Sequence, residues 1–415
     1  MVFRDDVSSP RVIYYRSLSM RVEVDNPVIL SACRTPIGKF GKGLVGVPAQ
    51  RLGALVIEEA LKRAGIQPKD VDEVIMGNVV SAGLGQNPAR QAAIYAGIPF
   101  DIGSVTVNKV CGSGLKAAMI AAQSIKAGDN EVVVAGGMES MSNAPYLAKG
   151  TRWGTKFGDA RLLDAMIVDG LWDAYHNYHM GITGELVAKK YGIGRKEADE
   201  FAYWSHMKAS KATRDGLFTP EKVKVKIERE GGEVEEFKDD ECVRGDTTIE
   251  KLARLKPVFK PDGVLTAGNS SQLSDGASAL VVGSEKAADR LGIKPLAKIV
   301  AYGTGGLEPA RVMEAPIPTT KALLKRVKMS IQDMDLVEHN EAYSTASIAV
   351  RRALGIDDDK FNISGGAVAL GHPIGCSGAR VLTTLVYALK RSGKKRGLAT
   401  LCLGGGNAVS MIIER

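Results

Sequence analysis

Asn108-Lys109-Val110-Cys111-Gly112-Ser113-Gly114-Leu115-Lys116 sets a cysteine directly before a Gly-Ser-Gly run and an apolar helical pattern. Leu115, Met119, Ala122 and Ile125 recur at the spacing of one helix face, so Cys111 falls at or just before a helix N-terminus. Unpaired backbone N–H groups and the positive end of the helix dipole are expected there to favour the thiolate, the nucleophilic form of cysteine.

Around this stretch, strands and helices alternate. Val28 opens a strand that Pro36 and Gly38 end, and a helix follows over about 50–64 with Leu52, Leu55, Val56 and Ala60 on one face. A buried strand over 72–76 closes on Gly77-Asn78, and a helix near 88–96 precedes the strand 104–107 that delivers Cys111. Glu131 to Gly137 is a further buried strand with a glycine turn. The alternation predicts α/β layers with a largely parallel sheet. Between about 143 and 268 it breaks down: two helical patterns near 184–190 and 196–214 precede Val223-Lys224-Val225-Lys226-Ile227. With Glu233 to Phe237 beyond Gly231-Gly232, this predicts a surface hairpin in a long, functional insertion.

The chain then repeats itself. Leu61-Lys62-Arg63, Asp70-Val71-Asp72 and the strand ending at Asn78 are matched by Leu324-Lys325-Arg326, Asp333-Met334-Asp335 and the strand ending at Asn340. Ile374-Gly375-Cys376-Ser377-Gly378, followed by Val381, Leu385 and Leu389, echoes the Cys111 element, and Leu398 to Gly406 echoes Val132 to Gly137. A duplicated α/β unit packs as two equivalent sheets about a pseudo-two-fold and brings its strand-end loops to a shared cleft, the place where open α/β sheets bind ligands. Cys111, Asn340, Glu341, His372 and Cys402 are therefore the site candidates. His372 stands in a glycine-dense loop, at an expected strand end, with no packing reason to be there. Its imidazole is a natural partner for drawing a proton from a thiol. Cys402 ends a strand and enters Gly404-Gly405-Gly406, whose backbone N–H groups are free to face a ligand as an oxyanion hole requires. Two cysteines and one histidine imply a nucleophile and a separate acid/base.

At 415 residues the chain exceeds one core, so two domains and a subsidiary one are expected. A net charge of +8 admits nucleic acid, a membrane surface or an anionic small molecule as partner, and with 6% aromatic residues and no basic run interleaved with aromatics nucleic acid is the weaker option. No stretch approaches the roughly 18 uninterrupted apolar residues of a membrane span. Five dispersed cysteines give neither zinc spacing nor a disulfide framework and point to a reducing cytoplasm. His176 and His179 lack a further ligand at metal spacing, so no metal is expected. Cys33 is read as packed, Cys242 as partly exposed and Cys376 as a non-nucleophilic counterpart. Residues 1–26 lack the apolar core of a signal peptide and are read as an N-terminal extension, with Met20 an alternative start.

Val-Cys-Gly-Ser-Gly-Leu at Cys111, His-Asn-Glu-Ala-Tyr-Ser at Asn340, Gly-His-Pro-Ile-Gly-Cys-Ser-Gly-Ala-Arg around His372 and Cys-Leu-Gly-Gly-Gly-Asn-Ala at Cys402 form a specific motif set. Together with His179-Met180-Gly181-Ile182-Thr183 and Thr266-Ala267-Gly268-Asn269-Ser270-Ser271, it resembles the thiolase family from about residue 27 to 415. The resemblance implies the α/β thiolase fold. Two duplicated βαβαβαββ-type core domains, 27–142 plus 269–291 and 292–415, would pack about a pseudo-two-fold, with an inserted α+β loop domain, 143–268, that binds coenzyme A. It implies an acetyl-CoA C-acetyltransferase activity, the reversible Claisen condensation of two acetyl-CoA to acetoacetyl-CoA and CoA. Cys111 would be acylated after activation by His372, and Cys402 would take the α-proton of the second thioester. Asn340, through a water, and His372 would form one oxyanion hole, and the N–H groups of Cys111 and Gly404 the other. His179, Met180 and Ser271 would lie near the pantetheine and Arg244 near the nucleotide phosphates.

No cofactor beyond the CoA thioesters is implied. A homodimer or homotetramer, a complex with a downstream CoA enzyme, and a place in fatty acid metabolism or isoprenoid precursor supply are implied by the same likeness. Some positions depart from the family: Tyr343 stands where Phe is usual, Val312-Met313-Glu314-Ala315-Pro316 replaces a glycine-rich segment beside the acyl pocket, and Gln272 and Ser274 differ from the commonest pattern beside Ser271. A longer-chain 3-ketoacyl-CoA thiolase and a non-catalytic CoA-binding scaffold subunit are the alternative readings.

Overall fold

A computed structural model describes residues 25–228 and 232–415. The N-terminal extension up to residue 24, with Met20, and Gly231 of the expected hairpin turn lie outside the described residues.

The first half runs β1 (Pro27–Arg34), α1 (Ala49–Ala64), β2 (Glu73–Gly77), α2 (Pro88–Tyr95), β3 (Gly103–Val107), α3 (Ser113–Ala127) and β4 (Val132–Ser140). The insertion contains α4 (Gly181–Tyr191), α5 (Arg195–Arg214) and the antiparallel hairpin β5 (Val225–Glu228) and β6 (Val234–Phe237). The chain returns with β7 (Ser274–Ser284) and α6 (Glu285–Leu291), and the second half follows. It comprises β8 (Ala297–Gly306), α7 (Pro316–Arg326), β9 (Leu336–His339), α8 (Ser344–Leu354), α9 (Ile374–Ser392), β10 (Arg396–Leu403) and β11 (Asn407–Glu414). Among the described residues no helix is long and apolar enough to cross a membrane.

Strand order is β9-β10-β11-β8-β1-β7-β4-β2-β3. Among the described strands, parallel pairing joins β2 to β3 and β4 and joins β9 to β10, and the middle of the sheet is antiparallel. The largely parallel sheet expected from the alternation is thus corrected to a mixed one. Strands buried on both faces carry the same continuous apolar runs whichever way they pair, so their periodicity does not report direction. The order repeats: β3-β2-β4-β7-β1 in the first half becomes Phe361-β9-β10-β11-β8 in the second, where a single parallel bridge from Phe361 to Val337 takes the place of β3. The halves join where β1 and β8 pair over two residues, Val28 with Lys298 and Ile29 with Ala297.

Core packing gives the layers. α1 and α2 cover one face of the first half, α7 and α8 cover the outer face of the second, and α3 and α9 lie between them in a shared core of Leu115, Met119, Leu382 and Leu385. α3 and α9 cross at Gly114 and Gly378. A Cβ on Gly114 would stand 2.6 Å from the backbone N of Ala379, and one on Gly378 would stand 2.3 Å from that of Leu115. Only glycine allows the two backbones to touch there.

Two aspartates fix which residues correspond. Asp72 accepts the N–H groups of Glu131 (2.7 Å) and Val132 (2.9 Å), and Asp335 accepts those of Lys395 (3.0 Å) and Arg396 (2.8 Å). The strand registers continue this match, which sets Gly77 opposite Asn340 and Met138 opposite Cys402. The sequence match of Asn78 with Asn340 is therefore one residue out.

Candidate active site

The nucleophile candidate stands on a strained turn. Val110 has φ of +47°, a left-handed conformation that a β-branched side chain rarely takes. Ser113 closes the turn: its hydroxyl accepts the Lys109 N–H (2.8 Å) and donates to the Val110 carbonyl (2.6 Å). Helix α3 starts at Ser113 with Gly112 as its cap, which leaves Cys111 one residue outside the helix.

His372 follows one turn of helix, Ala367–Leu370, and not a strand as expected; four apolar residues among glycines are too few to show a period. Its Nδ1 lies 2.6 Å from the Ser377 hydroxyl, which itself donates to the Pro373 carbonyl at 2.9 Å. Ser377 has spent its hydrogen, so Nδ1 carries the ring proton and Nε2 keeps the lone pair. The Asn340 amide, Nδ2, lies 3.4 Å from that Nε2, and its Oδ1 is buried without a partner among the described residues. Cys402, at the end of β10, places Sγ 3.7 Å from the Met313 sulfur.

Cys111, His372, Cys402 and Gly404 line one cavity of about 50 Å³ together with Met180 and Ser271. Burial pushes the Cys111 thiol up to about 12, against the pull of the Gly404 N–H and its own N–H, and the Glu139 carboxylate adds to the rise. This overturns the expected thiolate. A helix terminus offers about 0.3–1 kcal/mol, less than one pKa unit, which is smaller than what burial removes. Burial, helped by the Arg380 charge, lowers His372 to about 3, so the imidazole is neutral. Burial and the nearby Cys111 also raise Cys402. The resting site is a neutral thiol beside a neutral base, and a proton moves only as a new bond forms.

The other candidates are placed unequally. His179 lies outside the cavity, stacked on Phe259 at 4.9 Å, with Nδ1 accepting the Gly181 N–H at 3.0 Å. Arg244 is also outside, its guanidinium donating to Gln272 Oε1 at 2.9 Å. Glu341 faces away and clamps the loop by accepting from Ser205 (2.7 Å), Asn362 (2.8 Å) and the Val368 N–H (3.1 Å). A larger cavity of about 540 Å³ between α5 and α8 contains Glu341 but none of the reacting groups. Cys33 and Cys376 are buried, and so is Cys242, which corrects its expected partial exposure. Its charged neighbours misled: Asp240 turns inward to an ion pair with buried Arg34. Ser377 was not singled out by the sequence, although its signal is there in the duplicated Ser-Gly of the two elements.

Comparison with known proteins places the whole chain in one family. The thiolase N-terminal domain model matches residues 27–286 and the thiolase C-terminal domain model matches 293–415. An acetyl-CoA acetyltransferase of Cupriavidus necator is 52% identical over 94% of this chain and 99% of its own length. One of Pseudomonas aeruginosa is 50% identical over 94% of this chain and 99% of its own. The crystal structure of the Bacillus anthracis acetyl-CoA acetyltransferase superposes with a TM-score of 0.92 at 43% identity, over 94% of this chain and 99% of that one. With both halves matched and such identity sustained through them, this chain belongs to the thiolase family.

Proposed function

We propose that this protein is an acetyl-CoA C-acetyltransferase, which condenses two acetyl-CoA to acetoacetyl-CoA and CoA and runs the reverse cleavage. The observation that carries the reading is the meeting of Cys111, His372 and Cys402 in one cavity, with the Gly404 N–H against the Cys111 sulfur. In the forward direction His372 Nε2 takes the Cys111 proton as sulfur attacks the thioester, and the N–H groups of Cys111 and Gly404 hold the oxyanion. The thiol of Cys402 protonates the departing CoA sulfur. The Cys402 thiolate so formed removes the α-proton of the second acetyl-CoA, whose enolate oxygen is held by His372 and by a water on Asn340. Attack on the acyl group frees the Cys111 sulfur, which recovers its proton from His372. The acylation step exchanges one thioester for another of nearly equal energy, so it runs readily in both directions.

A cavity this small supports a two-carbon acyl group over the longer chains of β-oxidation. The insertion, 143–268, would carry the CoA, with His179 and Met180 at the pantetheine and Arg244 at the phosphates. β3 pairs on one side only, and Val105 and Phe100 beside its free edge are exposed, which supports a two-fold dimer. Trp153 and Phe157, 85% and 100% exposed on the insertion, support a second contact and a homotetramer. Light scattering tests this, and a monomer overturns it. Five free cysteines support a reducing, cytoplasmic setting.

The test of the reaction is covalent labelling. Acetyl-CoA should add one acetyl group to Cys111, and Cys111→Ser should abolish the adduct. An adduct that persists in the variant overturns the assignment, and a wild type that binds CoA without acylation or cleavage activity would favour the scaffold reading.

A further inference from the structure

Tyr343 caps α8 three residues after Asn340, and its ring is held from two sides. Phe259 meets it edge-on, with centroids 5.7 Å apart at 85°. Gly184 gives it room, since a Cβ there would stand 3.1 Å from the ring. The side chain is 7% exposed and lines the same cavity as Cys111 and Cys402. Among the described residues its hydroxyl has no hydrogen-bond partner, yet it lies within electrostatic reach of both sulfurs. The walls of the cavity are mixed, with apolar Leu171, Val312 and Met313 beside polar Ser271 and His372. A hydroxyl that lines the cavity without a protein partner finds one in what enters it.

We propose that Tyr343 is a specificity-determining residue whose O–H donates to an oxygen carried by the acyl group on Cys111. The substrate class is acyl-CoA thioesters with a hydroxyl on the carbon next to the thioester carbonyl, accepted more readily than alkyl chains of the same size. The acetyl methyl has no oxygen to offer, and the proposal rests on the acyl-cysteine reading above. In the step itself the acyl C–S bond to CoA breaks and the C–S bond to Cys111 forms, while the Cys111 proton passes to His372 and the departing CoA sulfur takes its proton from Cys402. A site built to bond a hydroxyl rejects the analogue lacking it far more strongly than an apolar site rejects one methylene.

Glycolyl-CoA and propionyl-CoA differ only by OH for CH3 and form the probe pair. Acylation of Cys111 is followed by intact mass and by release of CoA thiol, with acetyl-CoA run alongside. The wild type is expected to prefer glycolyl over propionyl by about tenfold, and Tyr343→Phe to lower that ratio at least about fivefold. A wild-type ratio at or below one, or a smaller change in the variant, overturns the proposal. If acetyl-CoA also fails to acylate the wild type, the acyl-cysteine reading falls. If acetyl transfers and the ratio does not move, only the role of Tyr343 falls.

Discussion

The two halves share strand order, the α3/α9 crossing and the paired aspartates, yet only one of their two equivalent clefts carries reactive groups. Asn340 has Gly77 as its counterpart and Cys402 has Met138, while the Ser-Gly alignment at the crossing sets Gly375 opposite Cys111. On the silent side Glu139 accepts the N–H groups of Gly375 (2.9 Å), Val79 (3.1 Å) and Val80 (3.2 Å), and the Asn78 amide (2.8 Å). The Gly375 N–H is the counterpart of the Cys111 N–H. A tethered carboxylate thus occupies the donor that, in the working cleft, is left for a substrate oxygen. The same backbone makes an anion site twice, and the side chains decide whether a ligand can use it.

Removing the groups on which the working cleft depends is the way to break this comparison. The largest effect is expected from Cys402→Ala. Acylation of Cys111 should survive, slowed by loss of the group that protonates the departing sulfur, while condensation and exchange of the acetyl α-protons with solvent deuterium should fall by at least about 10³-fold. Normal condensation in that variant would require another base. Ser377→Ala comes next, since it frees Nδ1 of His372 to lose its proton and the ring to turn. kcat should drop about 10- to 100-fold with KM little changed, in step with a misplaced base. A rise in KM alone would assign Ser377 to binding. Its counterpart Ser113 closes the Val110 turn, so the pair also asks whether one hydroxyl serves two purposes.

The smallest effect concerns His339, whose counterpart is Met76. His339 is buried, bonded through Nδ1 to Ser347 at 3.0 Å, and burial lowers it from 6.5 to about 3. The unfolded chain then binds more protons between those values, so stability falls as pH drops through that window and is unaffected well above it. In His339→Met that loss disappears. Between pH 7 and 5.5 the wild type should lose about 1 kcal/mol more than the variant in urea unfolding. Equal losses would place the His339 pKa near its ordinary value.

Much of this was legible in the residues. Helix faces such as Leu115-Met119-Ala122-Ile125 are periodic, and α1, α3, α5 and α9 fall where their patterns place them. The duplicated order pointed to Cys111, Asn340, Glu341, His372 and Cys402 at one cleft; Cys111, His372 and Cys402 line one cavity with Asn340 beside His372, whereas Glu341 faces away. Three kinds of information were not local. Strand direction in the buried middle of the sheet leaves no periodic trace, so β7, β8 and β11 were not foreseen as its antiparallel centre. Protonation is set by burial from every side, which is why a helix end alone misread Cys111. The tautomer of His372 depends on where one serine hydrogen goes, a fact held by the Ser377 to Pro373 bond and by no motif.

The crossing of α3 and α9 lies between the two clefts, close to the pseudo-two-fold. Two separate identical subunits meeting there would have to present the same side chains at both ends, so a cysteine nucleophile in one cleft would demand a cysteine in the other. Joining the halves in one chain removes that symmetry constraint. One end was then free to keep a glycine and a stoppered donor, and the other to assemble four different groups. The chemistry is asymmetric because the linkage is covalent.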